Sequence, residues 1–160
     1  MKSIVKFLST ITFISLVFSS CKSGEKENDV VLFKKLSPTE TKIDFINQIK
    51  ESKDFNILDY LYFYNGGGVA AGDINNDGLS DLFFVSNQGK SKLYLNKGVK
   101  DGSPQFEDIS TKAGIEGFSD WKTGVTMADV NGDGFLDIYV CAVGNYKGLE
   151  GSNELYINNG

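Results

Sequence analysis

The chain has 160 residues, 41% of them hydrophobic, 12% aromatic and 23% charged, a balance that suits a globular domain and excludes a disordered one. Its 16 basic residues are all lysine and stand against 21 acidic ones, for a net charge of −5, so the arginine-bearing basic footprint of a nucleic-acid binder is missing. There is no histidine, which excludes Ser/His and Cys/His catalysis and most zinc sites.

At the N-terminus, Lys2 and Lys6 precede an apolar stretch from Phe7 to Phe18, followed by Ser19-Ser20-Cys21. A basic start, a short apolar core and small residues at the cut site predict a secretory signal peptide over residues 1–20. The run is shorter than the ~20 residues needed to span a bilayer. Small residues directly before a cysteine resemble a bacterial lipobox, although Phe18 stands where leucine is usual. Cys21 is therefore the expected lipidation site and the new N-terminus, and the expected location is the cell envelope, lipid-anchored at the outer membrane after secretion across the inner one. Acyl chains contribute ~0.8 kcal/mol per buried CH₂, enough in combination for a lasting anchor. Residues 21–30 are polar, without apolar periodicity, and read as a tether.

Residues 31–64 are expected to hold an N-terminal strand, Val31 to Leu36, and then an irregular connection covering the first sheet. From Asn47 to Tyr64 the apolar residues Ile49, Phe55, Ile57, Leu58, Tyr60, Leu61 and Phe63 follow neither the helical nor the strand period.

The remainder is one unit written twice, over 65–118 and 119–160. The run from Gly68 to Phe83 (GVAAGDINNDGLSDLF) aligns with that from Gly124 to Tyr139 (GVTMADVNGDGFLDIY), and Lys92 to Gly98 aligns with Glu154 to Gly160. The acidic loops are therefore offset by fewer residues than the Leu-Tyr strands, which places an insertion in the loop from Gly144 to Gly151. Phe106-Glu107-Asp108-Ile109-Ser110, then Ile115 and Phe118, echoes Phe33 to Ser37, then Ile43 and Phe45. Four short strands separated by Gly/Asn turns fit one propeller blade. The second repeat stops short of its outer strand. The expected fold is all-β, a partial propeller of about two four-stranded blades that does not close. Cys141, inside the apolar run from Ile138 to Val143, is expected to be a buried, inert thiol.

Each repeat carries Asp-x-Asn-x-Asp-Gly-x-x-Asp: Asp73, Asn75, Asp77 and Asp81, then Asp129, Asn131, Asp133 and Asp137. Alternate oxygen-bearing side chains in a tight loop converge on one point. With a backbone carbonyl from Leu79 or Phe135 they make a hard-oxygen set suited to Ca²⁺. Three carboxylates so close repel one another when no cation lies between them, so two bound Ca²⁺ ions would support folding as well. An EF-hand opens in the same way but needs Glu at its twelfth position, where Phe84 and Val140 stand in apolar strands. A pair of plain polar turns is the other alternative, and the matching of two loops argues against it. Gly66-Gly67-Gly68-Val69-Ala70-Ala71 fits a dinucleotide-binding fingerprint, but the acidic loop that follows breaks any helix such a site requires.

These residues resemble the FG-GAP/VCBS repeats of integrin-α-like propellers. With Tyr64 to Ala70, Asn96-Lys97-Gly98, Phe106 to Ile109 and Trp121 to Gly124, residues 31 to 160 resemble the ASPIC/UnbV, cartilage-acidic-protein-like branch found in bacterial lipoproteins. The resemblance implies a seven-bladed propeller with Ca²⁺ held between the first two strands of a blade. The expected function is that of a calcium-binding envelope module for a protein or glycan ligand. The alternative is a structural scaffold, or the N-terminal part of a larger envelope protein whose activity lies elsewhere. The acidic residues are committed to loop spacing and no separate carboxylate pair stands out, so no catalytic residue is expected.

Overall fold

The computed structural model describes residues 31–160. The predicted signal peptide, Cys21 and the tether lie outside the described residues. Of the described residues, Leu36–Gly160 form one compact unit, and residues 31–35 fall outside it. The strand expected from Val31 to Leu36 is not formed: residues 31–37 carry neither strand nor helix, and no strand of either sheet pairs with them. An extended segment becomes a strand only where a neighbour takes up its N–H and C=O groups.

The larger unit begins with a one-turn helix α1 (Pro38–Thr41), set by a capping box in which Ser37 and Glu40 bond each other's backbone N–H groups. Seven strands follow: β1 (Val69–Gly72), β2 (Asp81–Phe84), β3 (Lys92–Lys100), β4 (Ser103–Asp108), β5 (Trp121–Ala128), β6 (Asp137–Val143) and β7 (Glu154–Tyr156). A second one-turn helix, α2 (Ser110–Ala113), lies between β4 and β5. All pairings are antiparallel between chain neighbours, giving a four-stranded sheet β1-β2-β3-β4 and a three-stranded sheet β5-β6-β7. This is the all-β, partial-propeller architecture read from the repeat. The second sheet has three strands among the described residues, and the extra length of the second repeat lies between β6 and β7, as expected.

Period-two alternation decides what each sheet buries. Phe83, Val85 and Leu93 point from the first sheet into a shared core with Ile138 and Val140 of the second, and Ile115, just past α2, completes it. Each such side chain, fully buried, contributes about 1.5–3 kcal/mol. The opposite face of the first sheet is covered by the connection that precedes it. Phe45 stacks on Phe84 with ring centroids 5.1 Å apart, and the Tyr94 hydroxyl donates to Asp44 Oδ1 at 2.7 Å. Asn47 exchanges hydrogen bonds with Asn87, donating to its Oδ1 at 2.7 Å and accepting from its backbone N–H at 3.0 Å. Further along, Phe55, Tyr60 and Phe63 surround Trp121 at ring centroid distances of 5.2, 5.8 and 5.0 Å. The segment from Asn47 to Tyr64 is thus irregular, as its lack of period predicts, and it is held by aromatic packing.

One expectation about the core is overturned. Cys141 is exposed. Ile138 and Val140 face the first sheet, so the alternation turns Cys141 to the far side of the second sheet, together with Tyr139.

Candidate functional site

The two acidic loops join β1 to β2 and β5 to β6, and they fold alike because their sequences make the same local demands. The residue after the conserved-spacing Asn is left-handed in both, Asn76 at φ 57° and Gly132 at φ 78°, and so is the glycine after the third acidic position, Gly78 at φ 86° and Gly134 at φ 90°. Asparagine and glycine are the residues that adopt this region at least cost.

Within the first loop, Asp73 accepts from the backbone N–H groups of Asp77 (3.1 Å) and Gly78 (2.7 Å). Asn75 Oδ1 accepts from the Asp77 N–H at 3.2 Å while its amide donates to Asp77 Oδ2 at 3.0 Å, and Asp77 Oδ1 accepts from the Leu79 N–H at 2.9 Å. The second loop repeats this. Asp129 accepts from Gly132 (2.7 Å), Asp133 (3.2 Å) and Gly134 (2.9 Å), Asn131 bonds Asp133 twice, and Asp133 accepts from Phe135 at 2.9 Å. The N–H groups around Asp129, that of Gly134 foremost, outweigh its partial desolvation and hold its carboxyl below the usual range.

The last acidic position behaves differently. Asp81 and Asp137 are 0% and 1% exposed. Asp81 accepts from the Ile74 N–H at 3.0 Å and the Asn96 N–H at 2.7 Å; Asp137 accepts from Val130 at 2.9 Å and Asn158 at 2.8 Å. Each therefore ties its loop to the strand after next. Burial pushes the Asp81 carboxyl up, its two N–H partners oppose this, and the charges of Asp77 and Asp73 add to the rise.

Structure thus brings Asp73, Asn75 and Asp77 together on one loop and Asp129, Asn131 and Asp133 on the other, with Asp81 and Asp137 turned inward as anchors. Among the described residues no group of three Asp, Glu or Cys side chains stands ready-made around a metal position. The donor chemistry still fits a hard cation, because every candidate ligand is an oxygen and Asp73, Asp77 and Asp133 accept one donor per carboxylate oxygen and keep further lone pairs, although Asp129 Oδ1 already accepts two N–H groups.

Asn96 and Asn158 carry a role that the spacing argument left out. The Asn96 amide donates to the Ser80 carbonyl at 3.0 Å, and that of Asn158 to the Leu136 carbonyl at 3.2 Å and the Ile74 carbonyl at 2.7 Å. Their shared place in the aligned Leu-Tyr-x-Asn strands was the available signal. Asn158 also joins the two loops, and Asn76 does so from the other side by donating to the Gly134 carbonyl at 3.1 Å.

The family model described as an FG-GAP-like repeat matches residues 73–140, from the first acidic loop to β6. Over 86 residues the chain is 40% identical to cartilage acidic protein 1 of Xenopus tropicalis and 37% identical to that of Homo sapiens, each match covering 53% of this chain and 12% of the relative. The cartilage acidic protein 1 of Mus musculus is 34% identical over 83 residues, 52% of this chain and 12% of its own length. The chain therefore spans about an eighth of the length of the curated relatives it matches. No solved structure matches it.

Proposed function

We propose, from the match of residues 73–140 to an FG-GAP-like repeat and the likeness to cartilage acidic protein 1, that the chain is part of a calcium-stabilised binding module anchored in the cell envelope. The coarse part of this, a propeller-like binding module, follows from the repeat and the two blade-like sheets. The observation that carries the calcium reading is the duplication of one hydrogen-bonded oxygen set in two loops of different sequence. Asp73, Asn75, Asp77, the Leu79 carbonyl and Asp81 would hold one ion, and Asp129, Asn131, Asp133, the Phe135 carbonyl and Asp137 the other. A bound Ca²⁺ neutralises clustered carboxylates. The chain's own residues prepare for it: backbone N–H groups keep Asp129 ionised, and the buried Asp81 and Asp137 fix the loop ends.

Calorimetric titration is expected to give two sites of roughly 10⁻⁵ to 10⁻³ M. Asp73→Ala and Asp129→Ala should each remove one. Folded protein that takes up no heat at millimolar Ca²⁺ would refute the reading. Lipidation at Cys21 is checked by the mass of the native N-terminus, and Cys21→Ser should leave unprocessed or soluble protein. The ligand is a protein or a glycan, tested by array and pull-down with purified chain. A purely structural role is the second reading, favoured by the way both loops already close on their own N–H groups.

A further inference from the structure

Two stretches of the chain stand outside the repeat pattern, and the fold brings them to one place. One is the irregular connection over residues 47–64, the other the insertion from Gly144 to Gly151 that only the second repeat carries. They meet at the end of the sheets away from the acidic loops, which follow Gly72 and Ala128; Trp121 and Val143 are paired at the opposite end of β5 and β6. The insertion closes on itself, the Asn145 N–H donating to the Leu149 carbonyl at 3.0 Å and the Leu149 N–H to the Tyr146 carbonyl at 2.9 Å. It is also fixed to the connection. The Tyr146 hydroxyl donates to the Asp59 carbonyl at 2.9 Å, and Lys147 pairs with the Asp59 carboxylate at 2.7 Å. Insertions in repeat folds map to loops on one face, often the binding face.

Beside this meeting point lies a cavity of about 350 Å³, lined by Tyr60, Tyr62, Asn65, Trp121 and Thr123 among others, with no charged residue in its walls. Its rings meet at steep angles. Tyr60 crosses Tyr62 at 72°, Trp121 at 82° and Tyr146 of the insertion at 55°, with centroids 5.6, 5.8 and 5.7 Å apart. Aromatic-lined grooves with rings side by side suit an extended polyproline segment, whereas crossed rings make a corner that takes one compact ring. The polar groups of the cavity are open. Trp121 is only 1% exposed, yet its indole N–H has no acceptor among the described residues and is not sealed from solvent. A buried indole N–H ordinarily finds a partner. Tyr62 is 62% exposed, and Asn65, also exposed, offers an amide that donates and accepts in one plane.

We propose that this cavity binds a neutral hexose unit of a glycan, with the Tyr60 and Tyr62 rings against the C–H face of the sugar and the Trp121 N–H, the Asn65 amide and the Thr123 hydroxyl on its hydroxyl groups. The inference rests on the binding-module reading and gives that module a ligand class and a place. A hexose carries both features that the walls call for: a face of C–H groups that an aromatic ring covers, and hydroxyls that donate and accept. The uncharged lining favours a neutral sugar over an anionic one and over a charged peptide end. The volume lies at the low end of ligand cavities, about 300–1,000 Å³, and admits a mono- or disaccharide unit.

Trp121 is the sole tryptophan of the chain, so its fluorescence reports this cavity alone. The full chain, in millimolar Ca²⁺, is titrated with methyl mannoside, methyl galactoside, maltose, cellobiose and lactose, and in parallel with a proline-rich peptide. The expected result is a saturable change in emission with at least one of the sugars, its affinity weakened about tenfold or more by Tyr62→Ala and by Asn65→Ala. Both side chains are exposed, and circular dichroism checks that the variants keep their fold. No saturable change with any of these sugars, a change that survives both substitutions, or a response to the peptide alone would overturn the proposal. Its failure is distinct from failure of the module. Chain carrying Tyr62→Ala and Asn65→Ala that is captured on a glycan array or in a pull-down as well as the unaltered chain would leave the module standing and strike this site.

Discussion

The buried aspartates are the residues on which the acidic loops hang. Removing Asp81 or Asp137 strips two part-buried backbone N–H groups of their acceptors, and a buried donor left bare costs about 1–3 kcal/mol, less where water reaches it. Asp81→Ala and Asp137→Ala should each destabilise by about 2–4 kcal/mol in a urea titration, whereas the exposed Asp77 should cost less. Asp129 adds a pH dependence of definite sign. Its folded pKa lies below the unfolded value because N–H groups favour the carboxylate. Its contribution is therefore complete above the ordinary carboxylate pKa and lost as pH falls through the folded one. Unfolding midpoints measured from neutral to strongly acid pH should fall over that window, and Asp129→Asn should flatten the fall.

At the scale of elements, β1 and β5 touch backbone to backbone, and one glycine decides it. Gly68→Ala puts a methyl against Val125 N and Gly124 Cα, neither of which can turn aside, so the sheets must separate at a cost of about 1–3 kcal/mol. Gly124→Ala meets only the Cys141 Cβ at van der Waals distance and should be close to neutral. Thermal unfolding of the two variants checks the contrast. Identical substitutions at matched repeat positions differ here because one faces a neighbouring sheet and the other does not. The helices show the same economy. α1 ends on Lys42 at φ 63° and α2 on Gly114 at φ 68°, and an isoleucine follows each. The faint echo between Ser37 to Phe45 and Ser110 to Phe118 is therefore a real local motif, even though the strand expected ahead of the first is not formed.

For the molecule as a whole, the two sheets share one core and their two loops are cross-linked through Asn76 and Asn158. A cation bound to the native loops alone would stabilise the entire unit by mass action. At a free concentration 100 times the dissociation constant, each site should add about 2.7 kcal/mol. The midpoint of thermal unfolding should accordingly rise with Ca²⁺, return on chelation, and respond less in Asp73→Ala and Asp129→Ala. A midpoint indifferent to millimolar Ca²⁺ would contradict cation support of the fold. Among the described residues no helix is long and apolar enough to cross a membrane.

The sequence by itself determined the repeat, the strand order within it, the acidic loops and the site of the insertion. All of these follow from local chemistry: period-two alternation, left-handed turn residues, and oxygen side chains spaced along a loop. It did not determine which face of a strand is covered. Val85 and Cys141 sit at one repeat position in equally apolar runs, and only the stacking of the sheets makes one buried and the other exposed. The anchoring role of Asp81 and Asp137 was hidden for the same reason. Their partners Asn96 and Asn158 lie a hairpin away, and hydrogen bonds across that separation exist only once tertiary structure has brought the strands together.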